Sequence, residues 1–229
     1  MSTVTAGRVA SAAKGQGSLA RRLFEWGGIA AGVILIAFGI GAIVLGFNGR
    51  STVGDSLKLE QIVGSGDMTP SGIKAEATAA GLKNITFPTC SVAGKPVNDG
   101  ASARCFAQYM RIHALESTGG FVYAQMGQFQ AKPGTPKSQL TPDGATSNKD
   151  YAVLDPNTHQ PVSNGARNVW VTETALTTAL NTSYMAEQLG LFGIVVGFAL
   201  LLSGIGFVVL AVGGALRHRA VEAKQATQS

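Results

Sequence analysis

Two uninterrupted apolar runs, Phe24–Phe47 and Leu189–Leu216, bracket a stretch in which apolar and polar positions alternate as they do in an ordinary folded domain. Past Glu25 neither run carries a charge. At 1.5 Å of rise per residue, each run as a helix covers roughly the 30 Å of a bilayer's hydrocarbon core. The pattern predicts a membrane protein with two transmembrane α-helices, at 24–47 and 189–216, flanking a mainly α, or α+β, domain over 48–188. Short tails at 1–23 and 217–229 complete the layout. The length allows one such domain and no more.

Within 48–188 the periodicity predicts several elements. The first span ends near Asn48-Gly49-Arg50, and Leu57–Val63 offers a short apolar piece stopped by Gly64-Ser65-Gly66. A helix start follows, with Asp67 or Thr69 as cap and Pro70 at or near its first position. Ile73, Ala77, Ala80 and Leu82 continue at helical spacing, and Gly81 is the stop. Gly94–Gly100 reads as a turn. Phe106, Tyr109, Met110, His113 and Ala114 then fall three and four apart, which predicts an amphipathic helix over Ala103–Leu115. Gly119-Gly120 interrupts it, and Phe121–Phe129 is a short element of either type. Lys132–Lys149 holds almost nothing apolar and is expected to be a long exposed loop. Tyr151–Leu154 and Pro161-Val162 flank a turn at Asp155-Pro156-Asn157-Thr158 and could pair as a hairpin. From Thr172 the helical pattern returns through Leu176, Ala179, Leu180 and Tyr184, and it is expected to continue past Leu189 into the second span.

Charge adds orientation. The formal net charge is +5, yet the stretch from Asn48 to Gln188 holds 11 Lys/Arg and 11 Asp/Glu and is neutral. The excess sits at the ends, in Arg8, Lys14, Arg21 and Arg22 before the first span and Arg217, Arg219 and Lys224 after the second. Basic residues beside spans are retained in the cytoplasm, so both termini are expected inside and the central domain outside a plasma membrane. The same charges would also attract anionic lipid. A basic face for nucleic acid is absent. The first run is longer than a secretory h-region and no A-x-A pattern follows it, so an uncleaved anchor is expected. Met1–Ala20, rich in Ser, Thr, Ala and Gly, reads as a lead without a fixed fold.

Cys90 and Cys105 are the only cysteines, and both fall in the segment assigned to the oxidising side. A disulfide between them is expected, stabilising the domain by about 3 kcal/mol on the chain-entropy estimate. The spans share small-residue spacing, notably Gly28/Gly32, Ala37/Gly41, Ala42/Gly46 and Gly193/Gly197. In antiparallel helices Ala42 and Gly46 come to the depth of Gly193 and Gly197, where close packing within or between chains is one reading. The other is that glycine is simply common in membrane helices.

Candidate chemistry is sparse. His113 and Glu116 lie three apart on a predicted helix, and with His159 they could hold a metal. The plainer alternative is a local His113–Glu116 pair and a surface His159. Nucleophile motifs and phosphate-binding loops are missing, Asp150 and Asp155 lie in predicted loops, and no cofactor is expected. Spans without ionisable residues offer no ion path. Tyr109, Arg111, Tyr123, Arg167 and Trp170 are the candidates for a protein-binding face, with burial in the core as the alternative for most of them.

Two stretches carry a resemblance. Gly64-Ser65-Gly66-Asp67-Met68-Thr69-Pro70 through Leu82, and Ala166-Arg167-Asn168-Val169-Trp170 through Tyr184 into Leu191–Leu202, resemble a group of actinobacterial two-span membrane proteins of no established function. Some of that group are named aromatic ring-opening dioxygenases. Such chemistry needs a compact His/His/carboxylate iron site, and here the exported segment supplies two well-separated histidines. The expected function is therefore a structural or interaction module of the cell envelope, or an accessory subunit of a membrane complex, working in the lipid bilayer with a protein partner or as a homo-oligomer. A membrane-anchored enzyme or ligand receptor using His113, Glu116 and His159 is the alternative.

Overall fold

The computed structural model describes residues 3–226, with side chains over 25–214. The basic residues of both tails therefore lie outside the residues whose side chains are described, and the lead, expected to have no fixed fold, is helical over residues 3–20. Four α-helices account for most of the described chain: α1 (Thr3–Leu59), α2 (Pro70–Ala79), α3 (Gly100–Ser117) and α4 (Gly165–Ala226). Short 3-10 turns at Tyr123–Gln125, Lys137–Gln139 and Lys149–Tyr151 punctuate the connection from α3 to α4. No strand occurs among the described residues, only isolated β-bridges, so the mainly α reading holds and the α+β option does not. The chain divides into two units, residues 1–49 with 189–229 and residues 50–188.

The first unit holds two helices long and apolar enough to cross a membrane. Only 11% and 17% of their most apolar windows are buried, so neither resembles the core helix of a soluble protein. Phe38, Leu45, Phe192, Leu202 and Leu210 are among the large side chains left exposed. The two helices run antiparallel along a ladder of glycines spaced by seven, Gly32, Gly39 and Gly46 on α1 against Gly204, Gly197 and Gly190 on α4. A Cβ built at Gly32, Gly39 or Gly46 would stand 2.7, 2.7 or 2.6 Å from the backbone oxygen of its opposite number. Ala42 and Gly193 sit beside this contact, with the Ala42 carbonyl 3.7 Å from a Cβ at Gly193. All four expected packing residues are thus at the seam. Gly41 is not, since nothing lies within 4 Å of its added Cβ. The working period is seven residues rather than four, because a seven-residue repeat keeps one stripe facing a partner helix.

In the second unit α3 is the centre. Ala103, Cys105, Phe106, Ala107, Tyr109 and Ile112 are all buried, packed with Ile73 and Ala77 of α2, Leu57 of α1, Leu180 of α4 and Val92 and Val97 of the intervening loop. Thr69 caps α2 by accepting from Gly72 N at 3.0 Å, Pro70 takes the first helical position, and Gly81 follows the C-cap at φ +69°. Asp99 caps α3 by accepting from Ser102 N at 2.7 Å, with the Ser102 hydroxyl returning to the cap. This strong cap starts α3 three residues earlier than the apolar spacing predicts. Glu187 then links three helices: one oxygen takes Arg50 of α1 at 2.8 Å, the other accepts from Gly100 N at 2.6 Å. A Cβ at Gly100 would lie 2.8 Å from Tyr184 Cα, so the approach of α3 to α4 requires glycine there. Cys90 and Cys105 form the expected disulfide, Cα atoms 6.1 Å apart, stapling the loop after α2 onto α3.

Three further expectations need correction. Helix α1 continues through Asn48–Arg50 to Leu59, absorbing the start of the separate Leu57–Val63 piece, because Leu57 belongs to the domain core. Helix α4 begins at Gly165 and not at Thr172. Asn164 starts it early, its side-chain oxygen accepting from Ala166 N at 3.1 Å. Finally, the expected exposed loop Lys132–Lys149 contains a polar hub. Asp143 accepts from Gly127 N, Ala145 N, the Thr141 hydroxyl and the Asn164 amide, and Ala145 and Thr146 are buried around it. A loop with almost nothing apolar is ordered here chiefly by hydrogen bonds. The hairpin at 151–162 does form a short ladder, through Val162 N to Val153 O and a Leu154–Pro161 bridge.

Candidate functional site

The densest gathering of chemically capable side chains lies where α2 packs on α3. Ile73 and Ala77 anchor the buried face of α2, and Glu76, between them in sequence, stands at the edge of that face. Asp67 is fixed two residues before the Thr69 cap. From α3, His113 reaches into the gap one turn beyond the buried Tyr109, whose hydroxyl donates to Cys90 O at 2.7 Å. The result surrounds one imidazole with carboxylates. His113 Nε2 is 3.0 Å from Asp67 Oδ2, and Nδ1 is 3.2 Å from Glu116 Oε2 and 3.9 Å from Glu76 Oε2.

The electrostatics are unbalanced. Three carboxylates meet one imidazole, and no Lys or Arg among the described residues forms an ion pair with them. The side chains of Asp67, His113 and Glu116 are about three-quarters buried, at 28%, 26% and 20% exposed, while Glu76 is more open. The Ser65 hydroxyl, its own backbone N–H and the neighbouring imidazole together outweigh partial burial and hold Asp67 below the ordinary carboxylate value. Burial pushes the Tyr109 phenol up, with the Asp67 charge adding to it. Glu116 Oε1 is buried and has no hydrogen-bond partner among the described residues.

The local His113–Glu116 pair read from the sequence is therefore present. His159 does not join it. It is exposed in the turn after Asp155, at φ +54°, and among the described residues the group able to share a metal ion is Asp67, Glu76 and His113. The triad His113/Glu116/His159 is thus replaced by one assembled across two helices. Sequence spacing reports contacts within a helix, and nothing in it pairs α2 with α3. Asp67 had a competing explanation as a cap, which the structure gives to Thr69.

The expected protein-binding residues divide. Tyr109 is fully buried and is a core residue, not part of any surface. Trp170 is also largely buried, its ring covered by the Arg111 guanidinium at 5.1 Å. Arg167 lies over the exposed Tyr123 ring at 4.1 Å, with its Nε buried and unpaired among the described residues. Tyr123 and the edge of Trp170 line a shallow apolar groove with Val171, Thr174, Ala175 and Thr178 of α4. Asp155 is spent on its turn, accepting from Asn157 N and Thr158 N, which holds its carboxyl below the usual range.

Comparison with known proteins adds no family. No protein-family model, curated protein or solved structure matches this chain.

Proposed function

We propose that this chain is a two-pass integral membrane protein whose 48–188 domain lies outside the cytoplasm and docks a protein partner, or a second copy of itself, in the cell envelope. Both termini are assigned to the cytoplasm on their basic residues. The exposed apolar flanks of α1 and α4 support the membrane assignment, since contiguous apolar surface of that extent is costly in water and costs nothing in lipid. Kinship with the actinobacterial two-span group belongs to the same proposal and rests on the Gly64–Leu82 and Ala166–Tyr184 stretches.

The observation that carries the docking role is the groove on α4. It combines an exposed Tyr, the edge of a Trp and an exposed Val with two arginines stacked on the aromatic rings. Aromatic and Arg side chains held in one arrangement before binding lose little entropy on docking, which is why interfaces favour them. Photo-crosslinking from position 171 in native membranes tests this. A discrete adduct is expected, absent from a probe at Lys149 and lost with Ala175→Arg. Equal labelling from both positions would sink the docking role. A reporter fused within 142–149 is expected to read extracytoplasmic, and a cytoplasmic reading would reverse the topology.

A further inference from the structure

The carboxylates around His113 have no assigned purpose in docking, and their arrangement is expensive. Three like charges share one partly buried gap, and one imidazole cannot neutralise them even when protonated. Burying unpaired charge is normally avoided or compensated. Glu116 adds a second cost, because its Oε1 is sealed from solvent without a donor among the described residues. A structure that retains both features gains something from a cation brought to this gap.

We propose that Asp67, Glu76 and His113 bind a divalent transition-metal ion of the zinc class, with Glu116 as the residue that orients the histidine. The ligand atoms of the three lie within 4.8 Å of one another. A tetrahedral zinc ion bonds His nitrogen and carboxylate oxygen at about 2.0–2.2 Å, which sets its donors about 3.4 Å apart, so side-chain rotations that draw the ligand atoms together by about 1–1.5 Å would close the shell. Water would supply a remaining position.

The histidine is already arranged as a ligand requires. A metal-bound imidazole uses one nitrogen for the ion and donates the other N–H to a carboxylate, which fixes its tautomer. Here each ring nitrogen faces a carboxylate: Asp67 at Nε2, Glu116 and Glu76 at Nδ1. With Nε2 on the ion beside Asp67, the Nδ1 N–H keeps Glu116 as its acceptor. One imidazole among carboxylates suits Zn²⁺ or Mn²⁺ better than Ca²⁺ or Mg²⁺, which take all-oxygen shells. The three ligands come from two helices and the loop before α2, so the ion would pin that loop to α3.

The test uses the full chain in mild detergent, without a polyhistidine tag, stripped by chelator and titrated with Zn²⁺ by calorimetry. One ion per chain is expected, with Co²⁺ at the same site giving the visible absorption of an ordered low-coordinate centre. His113→Gln and Asp67→Asn should each weaken Zn²⁺ binding by more than a hundredfold, and Glu116→Gln by about ten- to a hundredfold with an altered Co²⁺ spectrum. Asp155→Asn, a carboxylate remote from the cluster, should change nothing. Circular dichroism establishes that each variant is folded. Absence of Zn²⁺ binding, or binding that survives both His113→Gln and Asp67→Asn in folded protein, overturns the proposal. Loss of groove crosslinking without loss of Zn²⁺ binding would remove the docking role and leave this one standing.

Discussion

The helix pair of residues 1–49 and 189–229 and the domain of residues 50–188 hold together by opposite means. In the pair, the interface is made by leaving side chains out: glycines at 32, 39 and 46 meet 204, 197 and 190, backbone against backbone, while the large apolar residues point away. In the domain the large residues point inward, and a disulfide, two helix caps and the Asp143 hub supply what a modest core does not. The difference follows from the solvent. Lipid is as apolar as Leu, so packing surface and close approach must drive association there, whereas water rewards burial itself.

The sharpest way to break this contrast is at the seam. Gly39→Leu or Gly197→Leu would drive a side chain into a facing carbonyl, with a Cβ alone only 2.7 or 2.8 Å from it. The cost should exceed the about 1–3 kcal/mol typical of overpacking. A cysteine pair placed at Ala42 and Gly193 should then lose its spontaneous crosslink, while the Cys90–Cys105 bridge and domain structure persist. Gly41→Leu, where nothing lies within 4 Å, is the matched control and should leave the crosslink intact.

The domain has its own levers. Replacing both cysteines by Ser should cost about 3 kcal/mol of domain stability in denaturant titrations and leave the Ala42–Gly193 crosslink unchanged. Asp143→Ala removes one acceptor from four donors, so a loss of about 1–3 kcal/mol is expected, seen first as faster tryptic cleavage after Lys137 and Lys149.

Acid should have the smallest effect and act on the domain alone. Burial raises the Asp143 carboxyl, but the donors from Thr141, Asn164, Ala145 and Gly127 outweigh it and leave its pKa below 3.8. Asp99 is lowered as well, chiefly by the Ser102 hydroxyl and N–H. A depressed folded value means stability that is complete above pH 3.8 and declines as pH falls through the folded pKa values. Thermal unfolding followed from pH 6 downward should therefore hold steady until the ordinary carboxylate range is passed. A loss beginning well above it would contradict the assignment.

What the sequence disclosed divides along the same line. Long apolar runs, the Thr69-Pro70 start, the Gly81 stop and the paired cysteines are local signals, each with a cause inside a few residues, and the structure contains them. Helix ends set by distant partners were not visible: Leu57 is helical because it completes a core shared with Leu180, and Asn164 opens α4 while its amide serves Asp143. The cluster was half visible. The three-residue spacing of His113 and Glu116 predicts their contact, whereas Asp67 and Glu76 arrive by the packing of α2 on α3, which no periodicity encodes. Tyr109 illustrates the converse error, since an amphipathic residue on a helix reads equally as surface or core until its hydroxyl's partner, Cys90 O, is known.

The glycine ladder also behaves as a ruler with coarse graduations. Sliding α1 along α4 by one or two residues would take these six glycines out of opposition, and the next register in which any of the six meet lies a full seven residues away, roughly 10 Å at 1.5 Å per residue. Small axial adjustments of the two helices are therefore closed off, and any signal passed along them would have to travel as rotation, bending or separation instead of as a piston stroke.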